Sequence, residues 1–175
     1  MLAAAVTEMP TDAQVAFEEL YRSSRDDLYA YVAGLLRDPA AAEDVTAAAF
    51  ERAYRKHHRF NPARGTPRAW LFGIARNAAL DELRRRSRQA ELPGEVPDEL
   101  AVSPQDAGAA ALLRVAVRTA LDGLAPRERE LVALKHFAGL TNAEIAGVIG
   151  TSESNAGTML HRTMEKLREA CREPE

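Results

Sequence analysis

A stretch of 22 residues near the middle of the chain, residues 89–110, limits what the rest can fold into. It reads QAELPGEVPDELAVSPQDAGAA, with three prolines, two glycines, five carboxylates and no basic residue. Proline and glycine interrupt regular structure, and so polar a segment cannot bury enough apolar surface to order itself. The sequence therefore predicts a flexible acidic linker at 89–110 between two folding units, residues 13–88 and 111–172.

Both units are predicted to be helical. In the first unit, apolar residues recur at helical spacing over about residues 13–36, 40–58 and 67–86, with Asp38-Pro39 and the loop FNPARGTP between them. After the linker, ALLRVAVRTALDGL and the segment from Pro126 to about Phe137 have the same spacing. Alternating runs rich in valine are missing, so the predicted fold class is all-α, with two small helical domains.

The end of the second unit has the spacing of a helix-turn-helix. Thr141 and Glu144 form a capping box, Gly150 ends a helix of about eight residues, and Thr151 or Ser152 can cap a longer one. This pattern fits a DNA-reading pair of helices, although an ordinary helical hairpin is the alternative. Polar side chains expected to face outward from the second helix are Ser154, Asn155, Thr158, His161, Arg162 and Lys166.

Charge is distributed very unevenly along the chain. The net charge is −3 overall, but residues 52–88 contain 11 basic and 2 acidic residues. Aromatic residues interleave with these cations, among them Phe60, Trp70 and Phe72. Arginines can bind phosphates and aromatic rings can stack on bases, so this segment predicts a nucleic-acid surface. The alternative is a solvated basic face over a core of aromatic rings, and Trp70 is expected to be a core residue.

Several function classes have no support in the sequence. Cys171 is the single cysteine, which excludes a disulfide within the chain, and no pattern of metal ligands is present. The motifs GxxxxGK[ST], GxGxxG, GxSxG and HExxH are missing, as is a carboxylate pair suited to acid–base catalysis. We therefore expect a protein that is not an enzyme, binds no cofactor or metal, has no signal peptide or membrane span, and is cytoplasmic.

Four segments, in this order, resemble a known family. They are AEDVTAAAFERAYR, PRAWLFGIARNAALDELRRR, LAPREREL and LTNAEIAGVIGTSESNAGTMLHRTMEKLRE. Together they resemble a bacterial sigma factor of the extracytoplasmic-function (ECF) group, over about residues 13–170. The resemblance implies a factor that directs core RNA polymerase to specific promoters. In such a factor the first unit binds the polymerase β′ clamp and melts the −10 element, and the helix-turn-helix reads the −35 element and can contact the β flap.

The resemblance also assigns roles to residues of the first unit. Clamp contacts are expected from Asp44, Val45, Ala48 and Arg52. The loop at 60–66 is expected to capture a flipped base, and the helix after it to read the −10 element. The residues assigned to this −10 surface are Phe60, Asn61, Arg64, Arg68, Arg76, Asn77, Asp81, Arg84, Arg85 and Arg88.

The chain also departs from the family pattern. Ala47 and Ala48 stand where relatives usually have Gln-Glu, and Gly157 and Met159 stand where basic residues are common, as do Met164 and Glu165. A sigma-like interaction protein and a free-standing helix-turn-helix regulator therefore stay open as alternatives. The expected partners are core RNA polymerase and promoter DNA, with an anti-sigma protein as a further candidate. Because the net charge is negative, binding of the isolated chain to promoter DNA is expected to be poor.

Overall fold

The structure is a computed structural model that describes residues 11–90 and 109–172. Within these residues the chain is helical and contains no strand, which confirms the predicted all-α class. No helix in this part of the chain is long and apolar enough to cross a membrane. The helices are α1 Thr11–Leu36, α2 Pro39–Arg55, α3 Pro67–Ala90, α4 Ala109–Asp122, α5 Pro126–His136, α6 Asn142–Ile149 and α7 Glu153–Ala170.

The N-terminal half is a bundle of α1, α2 and α3. Asp38 separates α1 from α2 and caps the latter, since its carboxylate accepts a hydrogen bond from the Ala41 N–H at 3.1 Å and Pro39 occupies the first helical position. The apolar stripes of the three helices meet in a core of buried side chains. Its members include Leu28, Tyr31, Val32, Phe50, Leu71 and Phe72.

The loop between α2 and α3 contains two 3-10 turns, His57–Arg59 and Pro62–Arg64. Asn61 holds the second turn by accepting a hydrogen bond from the Ala63 N–H at 2.9 Å. Thr66 then caps α3 by accepting from the Ala69 N–H at 3.2 Å. The loop is thus fixed at its tip and at its junction with α3.

The C-terminal half consists of α4 to α7. The predicted capping box is present, because Thr141 accepts from the Glu144 N–H at 3.2 Å and donates its own N–H to that carboxylate at 2.9 Å. Gly150 ends α6 in the left-handed conformation, with φ 73° and ψ 47°, and Ser152 caps α7. Leu131, Leu134, Ile145, Ala156 and Leu160 are buried between these helices.

The two halves pack against each other, which the sequence did not predict. Helix α1 lies against α5 and helix α3 against α6, and one continuous apolar core runs through both halves. The predicted boundaries also shift slightly, because α3 continues to Ala90 and α4 begins at Ala109. Residues 91–108, which make up most of the predicted linker, lie outside the described residues.

The turn between α6 and α7 provides a test of the helix-turn-helix geometry. We expect Gly150→Ala to lower the free energy of unfolding by about 1–2 kcal/mol, because a Cβ is disfavoured in the left-handed region. Gly147→Ala is the matched control: Gly147 is an exposed position inside α6 with nothing within 4 Å of the added Cβ. The control should stabilise the protein by up to about 1 kcal/mol. Urea unfolding followed by circular dichroism measures both, and equal effects would contradict the described turn.

Candidate nucleic-acid interface

Helix α3 has one face in the core and the other in solvent. Leu71, Phe72, Ala75 and Ala79 are completely buried. On the opposite face, five of the residues assigned to the −10 surface are exposed at the three- and four-residue spacing that forms one stripe. They are Asn77, Asp81, Arg84, Arg85 and Arg88. The inner face fixes the helix, so the outer stripe is presented on a rigid support.

The four arginines near the end of α3 divide into two groups. Arg86 turns back toward the bundle, where its guanidinium lies 2.8 Å from Asp38 Oδ2 and 2.8 Å from Glu82 Oε1. It therefore ties α3 to the capping residue of α2. Together with the Ala41 N–H, this contact holds the pKa of the Asp38 carboxyl below its usual value. Arg84, Arg85 and Arg88 point outward and belong to the candidate interface.

Two of the outward arginines are paired with carboxylates of α3 itself. Arg84 contacts Asp81 at 3.0 Å and Arg85 contacts Glu82 at 2.7 Å, both within α3. Hydrogen bonds from Arg85 and Arg86 lower the pKa of Glu82 to about 2, so its carboxylate is ionised at neutral pH. The Arg84–Asp81 pair joins two exposed side chains one turn apart and contributes little to stability. A phosphate can therefore compete for Arg84, and for the exposed part of the Arg85 guanidinium, without unfolding the helix.

An open groove lies beside this stripe, at the loop before α3. Its volume is about 520 Å³, and the rings of Phe60 and Trp70 lie 5.7 Å apart along it. Trp70, expected in the core, is only partly buried, because one side packs on the core while the other lines the groove. Asn61, Arg64 and Asn77 complete the wall from the N-terminal half. The opposite wall is made by Glu144, Gly147 and Val148 of α6.

Arg68 of the assigned −10 surface is not free for a ligand in this arrangement. Its guanidinium donates to Asp27 Oδ2 at 2.5 Å and to Ser24 Oγ at 3.0 Å, and it lies 5.3 Å from the centre of the Phe72 ring. It also donates to the carbonyl oxygens of Ala138 at 2.6 Å and Phe137 at 3.2 Å. Arg68 therefore joins α1 and α3 to the turn after α5.

Arg76 of the same assigned surface is held by a carboxylate from the other half. Its Nε lies 2.6 Å from Glu130 Oε1, and the Tyr31 hydroxyl donates to the same oxygen at 2.9 Å. Burial and the neighbouring carboxylate raise the pKa of Tyr31 well above its usual value, so the phenol stays protonated and donates. Burial alone would lower the pKa of Arg76, but the bonds to Glu130 raise it.

The residues assigned to −35 recognition share one solvent-exposed face of α7. Asn155 donates to Thr151 Oγ1 at 2.7 Å, and His161 lies 3.3 Å from Glu165. Lys166 pairs with Glu128 of α5, which leaves Arg162 as the outward cation nearest the middle of the helix. The face is exposed at Ser154, Asn155, Thr158, His161, Arg162 and Lys166.

The departures from the family pattern in α7 lie partly away from that face. Met159 is partly buried and packs against the core. An added Cβ at Gly157 would lie 3.4 Å from Asn142 Nδ2, so this position is where α7 passes close to the start of α6. Methionine at 159 thus has a packing reason in this chain, whereas a Cβ at position 157 would make an ordinary contact with the Asn142 side chain.

The residues assigned to polymerase binding lie along α2. Asp44, Ala48 and Arg52 are exposed at four-residue spacing, which places them on one face. Val45 is partly buried and packs against the core. Among the described residues, no group of three or more His, Cys, Asp or Glu side chains is arranged to hold a metal ion.

Sequence reasoning missed the residues that join the two halves. Glu144 was assigned only to the capping box, and neither Glu130 nor the hydroxyl of Tyr31 received a role. Glu130 is only 7% exposed, and it is the only acidic residue buried in the described part of the chain. The available signal was its position four residues before Leu134, on the apolar face of a helix where a carboxylate needs a partner.

Family models match both halves of the chain. The model described as Sigma-70 region 2 matches residues 20–89, and the model described as Sigma-70, region 4 matches residues 114–167. The first contains most of α1 to α3, and the second contains α5, α6 and most of α7.

Curated relatives resemble the chain over most of its length. It is 35% identical over 167 residues to the RNA polymerase sigma factor CarQ of Myxococcus xanthus, covering 93% of each chain. It is 34% identical over 155 residues to the ECF RNA polymerase sigma factor BldN of Streptomyces coelicolor, covering 87% of this chain and 59% of BldN. The ECF RNA polymerase sigma factor SigL of Mycobacterium tuberculosis is 31% identical over 154 residues, 85% of each.

Solved structures share the fold. The sigma factor RpoE of Bartonella quintana, in complex with the anti-sigma factor NepR, matches with a TM-score of 0.74 at 23% identity, over 91% of this chain and 99% of that one. CnrH, in complex with the cytosolic domain of CnrY, matches with a TM-score of 0.62 at 25% identity, over 95% and 92%. A TM-score of 0.74 over both halves requires the halves to be similarly arranged in the two proteins.

The different roles of Arg86 and the outward arginines of α3 can be tested by measuring the free energy of unfolding. We expect Arg86→Ala to lower the free energy of unfolding by about 1–2 kcal/mol, because it removes charge-assisted hydrogen bonds that connect α3 to α2. Arg88→Ala is the control from the same turn of the helix, and it should change stability by less than about 0.5 kcal/mol. Urea denaturation of the full chain measures both. Equal losses would show that Arg86 has no special structural role.

Proposed function

The chain belongs to the ECF group of sigma-70 RNA polymerase sigma factors and directs polymerase to promoters, and we propose which of its surfaces bind the polymerase and the promoter DNA. The observation that carries the assignment is the match of both family models and of full-length relatives across both halves. A free-standing helix-turn-helix regulator is not favoured, because it would not account for the N-terminal half. We propose that the chain is not itself an enzyme and that it works in the cytoplasm with the polymerase.

We infer that the N-terminal half, residues 13–88, melts and holds the −10 element. Support comes from the exposed stripe at Asn77, Arg84 and Arg85 and from the groove between Phe60 and Trp70. Aromatic rings and an amide along a groove suit an unstacked base, and the loop that forms it is fixed by its own caps. Each stacked base contributes about 1–3 kcal/mol, which can shift the melting equilibrium without covalent chemistry.

We assign −35 recognition to the exposed face of α7 within residues 111–172. The first helical turn of α7 presents a hydroxyl and an amide, and Arg162 lies further along the same face. Hydroxyls and amides can hydrogen-bond base edges, whereas arginine can bind phosphate or guanine. Glu153 and Glu165 lie on the same helix and reduce its attraction for phosphates. The contact should therefore need the polymerase to hold the domain near DNA.

We propose that the exposed face of α2, with Asp44, Ala48 and Arg52, docks on the β′ clamp of core polymerase. The side chains at 47 and 48 are short, so the charged pair Asp44 and Arg52 would supply the polar part of the contact. A contact with the β flap is proposed for the C-terminal half. An anti-sigma protein is a further candidate partner, since one structural neighbour is a sigma factor in complex with an anti-sigma factor.

Transcription in vitro tests the proposed function without knowledge of the promoter. Core polymerase and the full chain are incubated with genomic DNA of the source bacterium, and the 5′ ends of the transcripts are mapped. We expect a small set of start sites that depends on the chain and shares two upstream elements. Transcripts that are unchanged when the chain is omitted would contradict the function.

The −10 surface is tested at one of the mapped promoters. We expect the triple variant Asn77→Ala/Arg84→Ala/Arg85→Ala to lower open-complex formation at least about tenfold, because each lost base or phosphate contact costs about 1–3 kcal/mol. Permanganate reactivity of unpaired thymines is the measurement. Arg22→Ala/Arg25→Ala, which removes two exposed cations from α1, is the control and should melt the promoter normally. Normal melting by the triple variant would remove this stripe from the mechanism.

A further inference from the structure

Arg84 and Arg85 are neighbours on the outward side of α3, but they are held in different ways. Arg84 Nη1 lies 3.0 Å from Asp81 Oδ1, and the two side chains are 70% and 67% exposed. Arg85 makes a double contact with one carboxylate, because its Nε donates to Glu82 Oε2 at 2.8 Å and its Nη2 donates to Glu82 Oε1 at 2.7 Å. A double contact fixes the plane of a guanidinium, whereas a single contact between exposed side chains does not.

Glu82 is itself a fixed acceptor, because a second arginine holds it from the side of the bundle. Its Oε1 also accepts from Arg86 Nε at 2.8 Å, and Arg86 Nη2 donates to Asp38 Oδ2 at 2.8 Å. Asp38 is the N-terminal cap of α2, so this series of contacts ends on the backbone of a packed helix. The side chains of Glu82 and Arg86 are only 16% and 26% exposed. Glu82 therefore presents its two oxygens to Arg85 in one defined position.

A third contact holds Arg85 from the next turn of the helix. Arg85 Nη1 donates to Gln89 Oε1 at 3.1 Å. Each terminal nitrogen of a guanidinium carries two N–H groups, so Nη1 and Nη2 each keep one for another acceptor. The Arg85 side chain is 54% exposed, so an acceptor from outside the helix can reach these groups. Two N–H groups held side by side match the O6 and N7 acceptors of a guanine edge.

We propose that Glu82 is a positioning residue for promoter recognition, which orients Arg85 so that its remaining N–H groups read a base edge in the −10 element. This role rests on the proposed function of the exposed stripe of α3. Arg84, which is not fixed in this way, attracts phosphates and carries no sequence information. The two arginines therefore differ in selectivity because of the carboxylate that each one meets.

The charge of Glu82 separates this role from simple electrostatics. A carboxylate beside a DNA-binding surface repels phosphates, so on charge alone its removal should strengthen binding. If Glu82 orients Arg85, its removal should instead weaken the recognition of one base. Glutamine keeps the size of the side chain but offers one acceptor oxygen and a donating amide, so it cannot accept both Arg85 bonds. Arg86 keeps its bond to Asp38 in such a variant, so α3 stays joined to α2.

The test uses holoenzyme assembled from core polymerase and the full chain, at one of the mapped promoters. Each base pair of the −10 element is replaced in turn, and the rate of run-off transcription is measured at limiting holoenzyme. The rate on the natural promoter divided by the rate on each substituted promoter gives a discrimination ratio for every position. Arg85→Ala identifies the base that Arg85 reads, because the ratio should fall by at least about fivefold at that position alone.

Three further variants isolate the role of Glu82. Glu82→Gln should lower the ratio at the position read by Arg85 by at least about threefold, since the base contact is kept but no longer oriented. Gln89→Ala should lower it in the same direction, without a change of charge and at an exposed position where alanine favours the helix. Glu19→Gln is the matched control, because it removes one negative charge and an exposed pair with Arg22 from α1. It should leave every ratio unchanged.

A loss in Glu82→Gln that is confined to the position read by Arg85 would support the proposal. Unchanged ratios, an equal loss at all positions, or the same change in Glu19→Gln would overturn it. If circular dichroism shows that Glu82→Gln has lost helix, Gln89→Ala decides by the same criteria. A failure of the proposed −10 role differs from these results, because Arg85→Ala would then alter the ratio at no position. If Arg85→Ala alters a ratio and Glu82→Gln does not, the −10 role stands and only the positioning role fails.

Discussion

The arrangement of this protein depends on a buried carboxylate that is satisfied from the opposite half of the chain. Glu130 projects from α5 into a site that is nearly closed to water, where Tyr31 of α1 and Arg76 of α3 both donate to it. An ionised carboxylate without these partners would be strongly disfavoured there. The two halves are therefore held in one relative position, and that position decides which surfaces of α3 and α6 are exposed.

Helix α3 serves the fold and the function through different faces. Leu71, Phe72 and Ala75 are in the core, while its outer stripe presents an amide and arginines to solvent. Between these faces lie Arg68, Arg76 and Arg86, which are partly buried and bonded to other elements. A helix with so many cations stays stable because several are neutralised within the molecule. The rest stay exposed, where a polyanion can displace weak partners.

The contacts between the halves add a structural reason for the expectation that the isolated chain binds promoter DNA poorly. Net charge predicts weak attraction, whereas the structure adds that the cationic surface is partly covered. The two causes respond differently to salt. Lower salt would strengthen the attraction between the chain and DNA, but it would not move α6 out of the groove. The sigma factor RpoE of Bartonella quintana, which has the same fold, has been solved together with an anti-sigma factor. In this chain the packing of its own two halves covers part of the cationic surface.

The sequence by itself determined the helices, their caps and the helix-turn-helix, because those features depend on neighbours within four residues. The capping box at Thr141, the left-handed end at Gly150 and the cap at Thr66 all follow from local hydrogen bonding and backbone sterics. Its resemblance to the family also assigned Asn77, Arg84 and Arg85 to the −10 surface, and their helical spacing is consistent with the exposed stripe of α3. The linker prediction at 89–110 concerns residues that lie largely outside the described part of the chain.

Only the tertiary structure decided that the halves pack together and that Arg68 and Arg76 are engaged between them. Residues as distant in sequence as Tyr31 and Glu130 come within 2.9 Å through the packing of four helices. Helical periodicity can mark a residue as inward-facing, but it cannot say which helix that residue meets. Whether an arginine faces DNA or a buried carboxylate is therefore settled by packing across the whole molecule.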